Sequence, residues 1–177
     1  MKRTLMKVGL VVCCLVLAGA IQPDAPVRIA QVVALDECDP ATFNSALGAD
    51  FCKNIALGYS TTLQNLVAEA AAGTPDPKWD FEPDSLSVNQ GTTLTVVDQG
   101  GEPHTFTEVK QFGGGFIAGL NNGEAPVPEC AAGFNDVAVA KTRILQGSTS
   151  LVTGLSKGTH YFQCCIHPWM RFKVEVK

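Results

Sequence analysis

The chain has 177 residues and a formal net charge of −4, from 13 lysine and arginine residues against 17 aspartate and glutamate residues. This acidic balance argues against nucleic acid and anionic membrane surfaces as partners, because both attract basic proteins. The length suits a single domain with an extension.

The first 20 residues have the pattern of an export signal peptide. Three basic residues precede an apolar run over residues 8–17, and the small residues 18–20 offer a cleavage site. The run is too short to span a bilayer comfortably, and no second run of spanning length follows it. Since the segment holds three of the 13 basic residues and no acidic one, residues 21–177 have ten against 17, a formal charge of −7. We expect a soluble, exported chain, periplasmic or extracellular, in an oxidising compartment.

Residues 21–77 are predicted to form an N-terminal extension with short helices. The apolar stretch 27–35 lacks a strong periodicity, so it could be a linker or an added edge strand. Asp39-Pro40 then has the form of a helix N-cap followed by proline at the first helical position. This pair predicts a short helix that continues to about Leu47 and ends at Gly48.

A second helix is predicted to begin near Ser60 or Thr61 and to end at Gly73. Its apolar residues recur at positions i, i+3, i+4 and i+7, which places them on one face of a helix. They are Leu63, Leu66, Val67 and Ala70. Residues 74–77 contain two prolines and are predicted to be a stiff connector.

From residue 78 to residue 177 the pattern changes to short β-branched runs bounded by glycine, asparagine and proline, which is typical of strands. The final run alternates without a fault, with Phe172, Val174 and Val176 on one face. Such a series predicts a two-sheet antiparallel sandwich. The predicted strands cover residues 85–88, 93–97, 105–109, 137–140, 150–152, 161–163 and 172–176.

The segment between the third and fourth predicted strands, residues 111–136, is long and rich in glycine. A loop of this length inside a compact domain needs a structural or functional reason. We expect either a crosslink through Cys130 or packing over one edge of a binding site to provide it.

The most informative motif lies just before the last strand. Cys164, His167 and Met170 follow one another at intervals of three residues, in a tight loop between two predicted strands. A thiolate, an imidazole and a thioether suit copper, which accepts soft sulfur and borderline nitrogen ligands. An electron-transfer copper site with one Cys, two His and a weak axial Met needs a second histidine. His104, at the end of another predicted strand, is the candidate.

This loop and its flanking strands resemble the ligand loop of cupredoxins, the small blue-copper proteins, and most closely the amicyanin type. The resemblance covers residues 78–177 and implies an all-β, Greek-key antiparallel sandwich. It implies His104, Cys164, His167 and Met170 as the ligands of one type 1 copper ion. It also implies that His167 forms the exposed edge of the site, where redox partner proteins dock on the monomer.

Two residues depart from the family pattern. Asp98 occupies the position where the family usually has an asparagine that steadies the ligand loop and bonds near the Cys sulfur. A carboxylate can accept hydrogen bonds from backbone N–H groups, but it can donate to sulfur only when protonated. Cys165 is an extra thiol beside Cys164, and the family spacing favours Cys164 as the ligand.

Five cysteines remain after residue 20, an odd number for an exported protein. If Cys164 binds copper, the other four can form two disulfides. Cys38 and Cys52 close a short local loop and form the first predicted pair. Cys130 and Cys165 then form the second pair, or they are two separate buried thiols.

The predicted function is that of a one-electron carrier. A copper carrier that delivers the ion without electron transfer would use the same ligands, and a metal-free adhesive or structural sandwich is a further alternative. We expect no enzymatic activity, because a multicopper oxidase or nitrite reductase needs more His-rich centres than three histidines allow. His160, within a strand, is not expected to bind metal, and Trp169 is expected to shield the copper or pack beside it.

Overall fold

The computed structural model describes residues 27–53 and 60–177 of the chain. The predicted export signal lies outside the described residues. Within the two described ranges, no helix combines the length and the apolar character that crossing a bilayer would require.

The described chain is built mainly of short strands, with helices between the first strands and in one late connection. The strands are β1 (Arg28–Leu35), β2 (Asp80–Glu82), β3 (Ser85–Val88), β4 (Thr92–Asp98), β5 (His104–Thr105), β6 (Thr107–Val109), β7 (Arg143–Ile144), β8 (Thr149–Val152), β9 (Gly158–Gln163) and β10 (Arg171–Val176). The α-helices are α1 (Pro40–Leu47), α2 (Leu63–Ala71) and α3 (Val137–Ala140), and a 3-10 turn covers Ala118–Leu120.

The strands form two four-stranded sheets, in the orders β2-β1-β4-β8 and β3-β10-β9-β6, with a small β5-β7 pair beside them. The predicted all-β sandwich is therefore confirmed. Most neighbouring strands are antiparallel, whereas β1 with β4 and β3 with β10 are parallel pairs. A parallel pair needs a crossover connection, and the chain between β1 and β4 carries α1 and α2.

Strand β1 lies inside the first sheet, between β2 and β4. It pairs with β4 from Arg28 opposite Thr92 to Ala34 opposite Asp98. The sequence left two alternatives for this stretch, a linker or an edge strand. The structure shows neither, because β1 is an inner strand with a partner on each side. The division of the chain at residue 77 remains a prediction, and the first sheet draws strands from both sides of it.

The two predicted helices are present. The Asp39 side chain accepts hydrogen bonds from the N–H groups of Ala41 and Thr42, and α1 gives way to Gly48 as expected. Helix α2 begins slightly later than predicted, because Thr62 is the N-cap and its hydroxyl accepts from the N–H of Asn65.

The prediction of a strand over residues 137–140 is wrong, since these residues form the short helix α3. Asp136 caps this helix by accepting a hydrogen bond from the N–H of Ala138. The local cap outweighs the strand preference of two valines in a segment that has no strand beside it to pair with. The predicted strand 105–109 is divided at Phe106, where β5 leaves to pair with β7 and β6 joins β9.

The core between the sheets is centred on the ring of Phe106. This ring lies 4.5 Å from Phe162, 5.1 Å from Phe81 and 5.4 Å from Phe172, measured between centroids. The alternation of β10 is confirmed, because Phe172, Val174 and Val176 are all buried. The rigid aromatic core lies below the end of β9, from which the predicted ligand loop departs.

Both predicted disulfides are present, Cys38–Cys52 and Cys130–Cys165. Cys164 is the free cysteine among the described residues, and it is buried. The second disulfide fastens the long 111–136 segment next to the predicted ligand loop. In the same place the Phe116 N–H donates to the carbonyl of Cys165, 3.0 Å away, and a β-carbon at Gly115 would overlap that carbonyl. The glycine at 115 is what allows this close approach.

Candidate metal centre

The predicted ligands lie at strand ends on one edge of the sandwich. His104 begins β5, Cys164 directly follows β9, and His167 and Met170 occupy the loop that leads into β10. His104, Cys164 and Met170 are 0% exposed and His167 is 2% exposed. The structure thus brings two segments that are 60 residues apart in the chain to one buried place.

The side chains of His104, Cys164 and His167 converge. The sulfur of Cys164 lies 3.9 Å from Nδ1 of His104 and 3.9 Å from Nδ1 of His167. The two imidazole rings are 5.4 Å apart between centroids. One atom from each of the three residues can be chosen so that all lie within 4.8 Å of one another.

These separations fit three ligands of one metal ion. An ion about 2.0 Å from a nitrogen and about 2.3 Å from a sulfur holds the two atoms about 3.5 to 3.7 Å apart at tetrahedral to trigonal angles. The observed 3.9 Å separations need only a few tenths of an ångström of contraction to meet this value. The donor set of one sulfur and two nitrogens is the set that copper and zinc accept.

Met170 is held in the loop by its backbone. Its N–H donates to the carbonyl of His167 at 2.9 Å, and its carbonyl accepts from the N–H of Cys164 at 3.1 Å. These two bonds close the loop upon itself, and the Met170 side chain is buried. Its thioether as axial ligand remains a prediction.

The sulfur of Cys164 is surrounded by groups that favour the thiolate. The N–H groups of Thr105 and His167 both point to it at 3.5 Å. Burial by itself would raise the pKa of Cys164, but the hydrogen bonds and charges of His104 and His167 outweigh it and hold the pKa well below 9.0. The surroundings of the sulfur therefore favour the thiolate, which is the form that binds metal.

Each imidazole has a carboxylate on the side away from the sulfur. Nε2 of His104 lies 2.9 Å from Oδ2 of Asp36, and Nε2 of His167 lies 3.1 Å from Oε2 of Glu102. Burial opposes a positive charge on both rings, yet these carboxylates and Cys164 outweigh it. The pKa of His167 rises to about 9, and that of His104 rises well above 6.5.

Sequence reasoning missed Asp36 and Glu102. Glu102 lies two residues before His104, a weak signal that could have drawn attention to it. Asp36 gave no local signal, because it follows β1 and stands 68 positions from His104. A β-carbon at Gly100 would overlap the Asp36 carboxylate, so this glycine allows the loop before His104 to wrap around it.

Asp98 behaves as a buried carboxyl beside the site. Its Oδ1 accepts from the N–H of Gly100 at 2.9 Å, which agrees with the expected role of accepting from the backbone. Its Oδ2 is buried without a hydrogen-bond partner among the described residues. Burial raises the pKa of Asp98 to about 7.

The sequence analysis named two further residues, His160 and Trp169. His160 is away from the cluster and bonds through Nδ1 to Glu108, at 2.6 Å, on the surface of β9. The ring of Trp169 packs beside His167, with 5.4 Å between centroids.

The expectation that His167 forms the exposed edge is wrong for the ring itself. Residues of α1 and α2 line the cavity next to His167. Trp79, which follows the extension and bonds to Glu102, lies 6.3 Å from the His167 ring. A cavity of about 240 Å³ reaches the His167 side chain from the surface between these helices and the 3-10 turn. Nearly all the residues that line this cavity are apolar.

No family model matches the chain, and no curated protein matches it. Among solved structures, it is similar to a purple cupredoxin from Nitrosopumilus maritimus, at 14% identity and a TM-score of 0.41, over 84% of this chain and 99% of that one. It is also similar to a reduced amicyanin variant, at 21% identity and a TM-score of 0.35, over 55% of this chain and 73% of that one. A Cu(I) form of another amicyanin variant has 22% identity and a TM-score of 0.37, over 57% and 76%.

The fold is a two-sheet β-sandwich with the cysteine- and histidine-bearing loop between β9 and β10. This is the sandwich that the resemblance to cupredoxins predicted.

Proposed function

We propose that this protein is an exported type 1 copper protein that carries single electrons between partner proteins, with His104, Cys164, His167 and Met170 as ligands of one copper ion. The observation that carries the proposal is the convergence of one sulfur and two Nδ1 atoms within a buried cluster. One Cys, two His and a weak axial Met form the donor set of blue-copper electron-transfer sites. When bound, copper supplies the one-electron couple, and the chain supplies no further chemistry.

Burial favours electron transfer over copper delivery. Delivery requires the ligands of a recipient protein to reach the ion and replace the donors one by one. The donors here are at most 2% exposed, and the loop that carries three of them is closed by the backbone bonds of Met170. An electron can pass through the side chains that bury the site, whereas an ion cannot leave unless the loop opens.

The mouth of the cavity above His167 is the proposed docking place for redox partners. Leu47, Val67 and Ile117 line this cavity and are 48%, 42% and 38% exposed. Exposed large apolar side chains that gather at one place mark interaction sites. Docking there would bring a partner to the side of His167 that lies away from the sandwich core.

Export agrees with the two disulfides, since such bonds persist in oxidising compartments. We propose that the protein acts outside the cytoplasm as a monomer and without enzymatic activity of its own.

The test of the proposed function is optical. Copper-loaded protein is expected to show an intense thiolate-to-copper absorption in the visible range, and Cys164→Ser is expected to lose it completely. His160→Ala removes a histidine outside the cluster and serves as the control, with the absorption unchanged. A colourless copper(II) complex of the natural chain would contradict the proposal. A coloured complex with slow electron self-exchange and readily displaced copper would support delivery instead.

Metal affinity is expected to rise with pH up to about 9. Near neutral pH, the raised pKa of His167 leaves a proton on its ring, and an ion that binds at Nδ1 must displace it. Each displaced proton makes the apparent affinity about tenfold higher per pH unit, until the pH passes the pKa of the histidine. Competition with a chelator of known proton linkage, from pH 6 to pH 9, measures this slope. An affinity that is constant between pH 7 and pH 9 would contradict it.

A further inference from the structure

Asp36 and Glu102 stand out among the buried groups because each contacts one of the two imidazoles on the side opposite the sulfur. The Nε2 atoms of His104 and His167 lie 2.9 Å and 3.1 Å from carboxylate oxygens, while both Nδ1 atoms face Cys164. Asp36 and Glu102 are 4% and 1% exposed. The two carboxylates in contact with the ligand rings are therefore buried.

The other hydrogen bonds of these carboxylates show which group donates and which accepts in the contacts with the histidine Nε2 atoms. Asp36 accepts backbone N–H bonds from Cys38, Gly101 and Glu102, at 2.9 to 3.2 Å. With both oxygens occupied as acceptors, Asp36 has the hydrogen-bonding pattern of an ionised carboxylate. It must therefore accept from the Nε2–H of His104, which makes Nδ1 the ring nitrogen that faces the sulfur and is left for a metal.

Glu102 is oriented in the same way by an indole. Its Oε2 accepts from Nε1–H of Trp79 at 3.1 Å, and an indole N–H can only donate. The same oxygen lies against Nε2 of His167, so this nitrogen also carries a proton and donates it to the carboxylate. Both rings are thereby held in the form that offers Nδ1 to a metal.

We propose that Asp36 and Glu102 are positioning residues of the metal site, which hold both imidazoles as Nδ1 ligands and place two buried negative charges beside the ion. This inference rests on the proposed copper function. Together with the Cys164 thiolate the charges favour Cu(II) over Cu(I), because the more highly charged ion gains more from nearby anions. The site is therefore a low-potential one for its ligand set.

Glu102→Gln tests the charge without removing the acceptor. The amide oxygen of glutamine can still accept from Trp79 and His167, so the geometry is retained while one buried negative charge is lost. We expect the ratio of Cu(II) to Cu(I) affinity to fall at least tenfold, which is a rise in reduction potential of about 59 mV or more. The visible absorption is expected to remain. Glu175→Gln, with the same loss of charge on an exposed position of β10, is expected to leave the ratio unchanged.

A second measurement tests positioning without copper and without a variant. In the zinc-loaded natural protein, nitrogen-15 NMR is expected to find the ring proton on Nε2 in both His104 and His167. Each of these protons is expected to exchange slowly with water. A proton on Nδ1 of either histidine, or an affinity ratio for Glu102→Gln within twofold of the natural one, would overturn the proposal. If the natural protein binds zinc in this way but gives no coloured copper complex, the copper function fails and the positioning role stands.

Discussion

Replacing Asp98 by asparagine is expected to stabilise the metal-free protein by up to about 4 kcal/mol at pH 8, but by only about 1 kcal/mol at pH 4.5. Burial raises the pKa of Asp98 from 3.8 to about 7. Between about pH 3.8 and pH 7 the unfolded chain has lost the proton that the folded chain retains, so stability falls as the pH rises, by up to about 1.36 kcal/mol per pH unit. Asparagine does not titrate and avoids this loss.

Denaturant unfolding of the metal-free protein at the two pH values, with the disulfides intact, measures the effect. Asp84→Asn, at an exposed carboxylate, is the matched control and is expected to change stability by less than about 0.5 kcal/mol at either pH. Equal effects of Asp98→Asn at pH 4.5 and pH 8 would mean that the carboxyl is not held at a raised pKa. Asparagine is also the residue that the cupredoxin pattern has at this position, so the variant tests why this chain differs.

Removing the Cys130–Cys165 crosslink is expected to lower the free energy of unfolding by about 4 kcal/mol. The bond closes a loop of 35 residues, and its loss restores that much more conformational entropy to the unfolded chain. Both cysteines are fully buried, so alanine at the two positions avoids buried hydroxyl groups. Removing Cys38–Cys52, with a separation of 14, is the comparison and is expected to cost about 3 kcal/mol.

The metal cluster is expected to survive the loss of this crosslink. Cys164 is held by strand β9 and by the N–H groups of Thr105 and His167 rather than by its neighbour. Copper-loaded Cys130→Ala/Cys165→Ala should therefore keep the visible absorption while it unfolds at lower denaturant concentration. A loss of stability below about 1 kcal/mol would show that the packing of the 111–136 segment, and not the crosslink, holds it in place.

The burial of His167 changes how electrons would reach the site. The proposed ligand His167, next to α1 and α2, would meet a partner through the apolar mouth of a cavity and not at an exposed imidazole edge. The extension precedes the predicted cupredoxin domain in the chain. It therefore adds helices α1 and α2 to the proposed docking surface. It also supplies Asp36, the partner of the first histidine.

Much of the local structure was predictable from the sequence. The N-cap of α1 and the alternation of β10 are short-range patterns, and the structure has both. Residues 137–140 were misassigned because two valines favour a strand only when a neighbouring strand can pair with them, and here Asp136 caps a helix instead. The inner position of β1 could not be predicted, since its pairing with β4 spans more than 60 residues.

The sequence by itself determined the candidate ligand loop, because Cys164, His167 and Met170 follow one another at intervals of three residues, a spacing that predicts a site for a soft metal. It also predicted the Cys38–Cys52 pair, whereas the structure decided that Cys130 and Cys165 are bonded and not two separate thiols. Only the tertiary structure decided what surrounds the loop: Asp36 and Glu102 behind the histidines, the unpartnered oxygen of Asp98, and the helices over His167. Contacts of this kind depend on which distant segments pack together. Hydrogen bonds between side chains of such segments produce no repeating pattern in the sequence.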